Sequence, residues 1–272
     1  MTIEETLPFA DWLRLREPAD AAARAEDLVG VLGPVLAGGA PILIHDLGSG
    51  TGSMSRWLAA LLPGPQHWVL HDRDADLLSR AADAMVGVTA ADGTPVTVRT
   101  RHGDLTRLTA DDLADGTLIT ASALLDMLTA EEVDQVVAAC VGRPTLFALS
   151  VTGQVRLTPT DPLDPEFEAA FNDHQRRTVD GRRLLGPDAA AAAVSAFARR
   201  GVRVVERHSP WRLGPDQADL AAEWFRGWVG AACEQRPELA GPARAYVQRR
   251  LAEAAAGHLG VLVEHRDLLA HG

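Results

Sequence analysis

The run IHDLGSGTGSMSRWLAALL, which begins at Ile44, constrains the fold of this chain more than any other segment. An apolar strand ends in Asp46, glycines follow at Gly48, Gly50 and Gly52, and an apolar-periodic helix begins at Ser53. Glycines at a strand-to-helix turn permit positive φ and let backbone amides approach a ligand closely. The run therefore predicts a ligand-binding turn at the carboxyl end of a strand.

From Pro41 onward, short apolar runs alternate with helical stretches, the pattern of a parallel sheet flanked by helices. Strands are expected over 42–47, 67–71, 96–102, 117–121 and 145–151, and helices over 53–62, 76–85 and 131–140. The last helix is introduced by Thr129 with Glu132 three residues on, a capping-box spacing. Residues 153–186 read as irregular, rich in Pro, Asp and Arg and too long for an ordinary connection. An alanine-rich helix over 188–199, a strand over 202–207, about forty residues reading as two helices, and a strand over 259–265 complete the chain. Ahead of the first strand, 11–36 reads as one or two amphipathic helices, with Pro18 beginning or breaking one. Arg16, Asp20 and Arg24 fall four apart there. The preferred reading is a mutually paired, solvated stripe; the sharper one is a lid over a ligand.

The 272 residues, 47% hydrophobic, are enough for one sizeable core, and no stretch approaches the roughly 20 apolar residues of a membrane span. A soluble, cytoplasmic protein without membrane attachment is expected. All 26 basic residues are arginine. The missing lysine excludes a pyridoxal phosphate aldimine, a Schiff-base aldolase and a Walker A loop, each of which needs that amine. Cys140 and Cys233 have no metal or disulfide spacing and read as packing residues, so no metal site is expected. A net charge of −11 argues against general nucleic-acid binding and for a small-molecule partner. Nothing in the residues specifies an oligomeric state.

Two kinds of cofactor use such a glycine turn. A dinucleotide expects G-x-G-x-x-G/A, but the third slot here is Ser53, and Asp46 would oppose a diphosphate. The acid, any residue, then Gly-x-Gly-x-Gly resembles motif I of class I S-adenosylmethionine-dependent methyltransferases. Three further segments agree with that family in order and spacing: VLHDRDADLL, RHGDLTRL and LITASALLDML. The resemblance covers about 41–128. It implies a Rossmann-like α/β fold, a seven-stranded mixed sheet with helices on both faces and a helical insertion before an antiparallel last strand. Residues 1–40 would form a helical cover and 41–272 the methyltransferase domain, with acceptor-side segments at about 153–187 and 210–257. It further implies S-adenosyl-L-methionine as cofactor, with Asp46 near its methionine end and Gly48, Ser49 and Gly50 along its face. Asp72, with Arg73 beside it, would take the ribose; Asp104 and Leu105 the adenine; Ala121 and Ser122 the methionine side.

On the acceptor side, His174 is the preferred general base, because an imidazole titrates near neutrality and the segment follows the fifth strand, at the ligand-binding end of the sheet. Asp126 is the next candidate. Arg176 and Arg177 are candidates for an acceptor carboxylate or phosphate, or simply face water. Trp211, Trp224 and Trp228 either line an apolar pocket or belong to the core. The expected function is methyl transfer to O, N or C of a small molecule. The alternatives are a nicotinamide-dependent oxidoreductase and a noncatalytic or cyclase-type S-adenosylmethionine-binding protein.

Overall fold

The computed structural model describes residues 7–36 and 41–272. Two helices, α1 (Phe9–Ala23) and α2 (Glu26–Leu36), precede β1 (Ile42–Leu47), α3 (Ser53–Ala59), β2 (Gln66–Asp72), α4 (Ala75–Ala84) and β3 (Val96–His102). Then come β4 (Leu118–Ser122), α5 (Ala130–Cys140), β5 (Thr145–Thr158), α6 (Asp164–Gln175), a hairpin of β6 (Thr178–Val179) and β7 (Arg182–Arg183), and α7 (Ala189–Arg199). The chain closes with β8 (Arg203–His208), β9 (Trp211–Leu213), α8 (Ala218–Gln235), α9 (Ala240–Ala255) and β10 (Gly260–His271).

The expected seven strands run in the order β3-β2-β1-β4-β5-β10-β8. Strands β1 to β5 pair in parallel, whereas β10 is antiparallel to both β5 and β8. An eighth strand, β9, has no counterpart in the sequence pattern: it pairs with Val261–Val263 of β10, while β8 pairs with the later half of the same edge. Side chains alternate across a strand, so neighbouring residues serve opposite faces. Leu269 packs with Ile44, Trp68 and Leu146 under α2, α3 and α4, while its neighbour Leu268 packs with Leu47, Ile119 and Phe147 under α5 and α7. A third cluster, built on Phe167, Trp211, Phe225, Trp228 and Tyr246, joins α6, α8 and α9 to the late half of β5 and the start of β10.

Thr129 and Glu132 form the expected capping box at α5. The structure departs from the expected elements at Pro18 and over 153–186. Pro18 neither begins nor breaks a helix but lies inside α1, whose apolar residues pack on both sides of it, Trp12 and Leu15 before and Ala19 and Ala23 after. Residues 153–186 are not irregular: β5 continues to Thr158 against β10, and α6 buries Phe167 and Ala170. The pairing partner lies about a hundred residues away, so no local pattern announces that extension.

Candidate active site

Gly48, Gly50 and Gly52 all hold positive φ, at 65°, 53° and 82°. The turn is stitched to the end of β2: Gly50 N donates to Asp72 Oδ2 at 2.9 Å and Ser49 N to the His71 carbonyl at 2.9 Å. Asp72 Oδ1 also accepts from Asp74 N at 3.0 Å, and Asp74 itself caps α4. A Cβ on Gly48 would lie 2.9 Å from Leu124 and 3.5 Å from Leu105, and one on Gly50 would lie 3.2 Å from Leu13 of α1. Glycine is required both by the backbone and by these approaches.

Asp46 is wholly buried beneath the turn, where its carboxylate accepts from Ser55 Oγ at 2.7 Å and Thr120 Oγ1 at 2.8 Å. Burial pushes its pKa up to about 6 against those two hydrogen bonds. Arg73 is exposed and offers its carbonyl to His102 Nε2 at 3.0 Å. Asp104 is exposed at the end of β3 and accepts from Thr106 Oγ1 and N, bonds that hold its carboxyl below the usual range. Ala121 is buried, and Ser122 Oγ accepts from Arg24 Nη2 at 3.2 Å.

That arginine corrects the preferred reading of the Arg16, Asp20 and Arg24 stripe as solvated. Asp20 and Arg24 are each only 5% exposed. Arg24 also reaches Ser53 Oγ at 3.2 Å, joining the first helix to the glycine turn and to β4, and its Nε is buried with no partner. Arg16 forks Asp20, with Nε 3.0 Å from Oδ2 and Nη2 3.1 Å from Oδ1, and its guanidinium lies 4.9 Å over the Trp211 ring. Trp211 Nε1 donates to the same Asp20 at 2.9 Å. The stripe is turned inward because β9, invisible in the sequence pattern, supplies the tryptophan that covers it.

Beside this network, past the carboxyl end of β4 and along the middle of β5, lies a cavity of about 200 Å³. Its wall includes Trp12, Arg16, Asp126, Trp211, Trp224 and His265, with Phe171, Asn172 and Gln175 contributed by α6. Ala123 and Leu149, which follow or end the apolar parts of β4 and β5, both line it with positive φ, 50° and 54°. Such backbone costs about 1–2 kcal/mol per non-glycine residue. Asp267 compensates at Leu149: its Oδ1 accepts from Leu149 N at 2.7 Å and its Oδ2 from Ala25 N at 2.8 Å. The β5–β10 register shifts between Val263 and His265 and again between Arg266 and Leu268, around Asp267, and such irregularities re-aim side chains. His265 is 3% exposed with Nδ1 unpartnered; burial, then the charge of Arg16, pushes its pKa down to about 3.

Asp126 is half-buried, and burial pushes its pKa up to about 6, opposed by its own backbone amide and the charges of Arg16 and Arg177. It does not cap the following helix, a role taken by Thr129. His174 corrects the sequence expectation: it stands on α6 rather than in a loop and is not among the residues lining the cavity, which Phe171, Asn172 and Gln175 of the same helix do line. Its Nδ1 lies 3.9 Å from Glu234, and burial and Arg177 lower its pKa. Arg176 is committed to Asp188 at 2.6 Å and 2.9 Å, and Arg177 donates to the His174 carbonyl at 3.0 Å. Trp211 and Trp224 line the cavity, whereas Trp228 is core. Cys140 is buried and Cys233 half-buried, both free, and no metal-holding cluster of His, Cys, Asp or Glu occurs among the described residues. No helix among them is long and apolar enough to cross a membrane.

In the sequence Arg16 and Arg24 stand out only as members of a stripe read by preference as solvated, and no role is read for His265 and Asp267. The last two did carry a signal, since Glu264 to Asp267 place four consecutive polar residues inside an otherwise apolar strand.

No family model and no curated protein sequence matches the chain. Solved structures similar to it include an S-adenosylmethionine-dependent methyltransferase from Geobacter sulfurreducens in complex with S-adenosyl-L-homocysteine, at 17% identity over 98% of each chain and a TM-score of 0.46. Another is the methyltransferase from Thiobacillus denitrificans in complex with the same ligand, at 17% identity over 98% of this chain and 100% of that one, TM-score 0.45. The cyclopropane synthase MmaA2 from Mycobacterium tuberculosis is 14% identical over 96% of this chain and 94% of its own, TM-score 0.48. These are likenesses of layout at low identity.

Proposed function

We propose that this chain is a class I S-adenosylmethionine-dependent methyltransferase acting on a small molecule. The observation that carries the proposal is the positive-φ glycine turn tied to Asp72, at the carboxyl edge of a sheet whose last strand is antiparallel. A classical dinucleotide fold continues the order 3-2-1-4-5 with a further parallel strand. Here β10 reverses direction between β5 and β8.

The residues at the turn suit this cofactor. Arg24 Nε and Ser49 Oγ are buried polar atoms without partners, and burial of such atoms costs free energy until a ligand satisfies them. Arg24 would hold the carboxylate. A carboxylate has about four acceptor sites, and Asp72 spends two on Gly50 N and Asp74 N, leaving two for vicinal hydroxyls. Asp104 would accept from an exocyclic amine, with Leu105 against the ring. Asp46, when ionised, supplies negative potential beneath the end of the cofactor that carries an ammonium and a sulfonium, without touching it. Bound S-adenosylmethionine supplies an electrophilic methyl group on a positively charged sulfur.

Asp126 replaces His174 as the base. It lines the cavity, and a pKa of about 6 leaves it ionised yet basic enough at neutral pH to take a proton from an acceptor O–H or N–H. Leu149, Val151 and the tryptophans line the same space, and apolar lining of this kind disfavours water beside a reacting group.

Calorimetric titration tests the proposal: S-adenosylhomocysteine binds with one site per chain, and NADH does not. Binding of NADH with none of S-adenosylhomocysteine overturns it.

A further inference from the structure

We infer that the acceptor held in this cavity is a small amine, bound as its ammonium ion against Asp126. The chemistry after binding rests on the methyltransferase proposal; the preference itself comes from the cavity wall. Two charged side chains line that wall, Arg16 and Asp126. Arg16 is already compensated by the fork to Asp20, which is itself buried. Asp126 has no such partner: Arg16 and Arg177 act on it through space, and its own backbone amide is its hydrogen-bond donor among the described residues. The uncompensated charge on the wall is therefore negative.

The neutral polar groups point the same way. Asn172 Oδ1 and Gln175 Oε1, both on the wall, are buried acceptors without donors. The orientation of Asn172 is set by Nδ2 donating to the Gly153 carbonyl at 2.8 Å, so oxygen is the atom left over. His265 adds an unpartnered Nδ1 on an imidazole that burial and Arg16 keep neutral. An ammonium brings three N–H donors to this set. An alcohol brings one, and a carboxylate brings none while facing Asp126. Trp12, Trp211 and Trp224 make the rest of the wall aromatic, and Arg16 already lies over the rings of the first two. A volume of about 200 Å³ exceeds the roughly 150 Å³ that accommodates benzene, leaving room for a ring with a short arm. Asp126 then serves twice, as counter-ion to the ammonium and as acceptor of the proton the nitrogen must lose before it becomes nucleophilic.

The test uses three near-isosteric probes, 2-phenylethylamine, 2-phenylethanol and 3-phenylpropanoate, titrated against the full chain from about pH 5 to pH 8 with tryptophan fluorescence as readout, and compared with one another above pH 7. The amine binds about 10-fold or more tightly than either of the others, the difference expected of a charged hydrogen bond in a buried site. Its affinity rises with pH through the range in which Asp126 ionises, while that of the alcohol stays flat. Asp126→Asn removes the preference, with circular dichroism confirming that the variant is folded. Tighter or equal binding of the carboxylate or alcohol, no binding of the amine, or a pH-independent amine affinity overturns the inference. S-adenosylhomocysteine binding measured on the same samples separates the two proposals: its loss with the amine preference intact defeats only the methyltransferase assignment, and the reverse result defeats only the amine site.

Discussion

Asp46→Asn separates the electrostatic role of this buried acid from its role in packing. The carboxyl ionises at about 6 in the folded protein against 3.8 ordinarily, because a fully buried charge is poorly solvated even with Ser55 and Thr120 donating to it. At about 1.4 kcal/mol per unit, the raised pKa corresponds to about 3 kcal/mol of pH-dependent stability. Since the folded value lies above the unfolded one, that stability is fully present below about pH 4 and is lost as pH rises through 6. Between pH 5 and pH 8 the loss amounts to about 1.4 kcal/mol. Asparagine cannot ionise and keeps one carbonyl acceptor for Ser55, while Thr120 Oγ1 has the His45 carbonyl at 3.5 Å as an alternative. Urea unfolding of both proteins at several pH values reads the difference directly. Asp126 and Asp267, whose pKa values are also raised, are present in both chains and cancel. Relative to wild type, the variant gains about 1.4 kcal/mol from pH 5 to pH 8. A difference that stays constant over that range, or moves the other way, refutes the assignment of a buried, weakly acidic Asp46.

Asp267→Ala strips the acceptor from two backbone amides, Leu149 N and Ala25 N, and lowers stability by about 2–4 kcal/mol in denaturant titration; a loss below about 1 kcal/mol means that the amides find other partners. Arg24→Gln weakens S-adenosylhomocysteine binding about 10-fold or more by calorimetry, through loss of a charge-assisted contact, and an unchanged affinity removes Arg24 from the cofactor site. Asp126→Asn lowers turnover about 10²–10⁴-fold, and wild-type kcat/KM rises with pH through about 6 as the carboxyl deprotonates. His174→Ala stays within a few-fold of wild type; the opposite ranking of these two variants restores His174 as the base.

The parallel half of the sheet was legible because its information is local. The 42–47 strand, the three glycines and the Thr129–Glu132 cap each lie within a few residues, where period, turn chemistry and capping are decided by neighbours in the chain. The strand ends that carry Asp72 and Asp104 were legible for the same reason.

The acceptor side was not legible in that way. His174 sits in a polar stretch of the right sequence position, yet α6 turns Phe171, Asn172 and Gln175 to the cavity and leaves the histidine beside Glu234. Arg176 had the chemistry of an anion site, but Asp188 claims it. Conversely, Arg16 and Arg24 looked like surface charges until β9 brought Trp211 over Asp20. What the sequence determined by itself was the framework of the first strand, the glycine turn and the helix after it, since each rests on short-range backbone preferences. What only the tertiary structure decided was which charged and polar groups face the cavity. His265 and Asp267 reach their places through register irregularities between β5 and β10, strands paired across more than a hundred residues, and a one-residue shift in pairing sends a side chain to the opposite face.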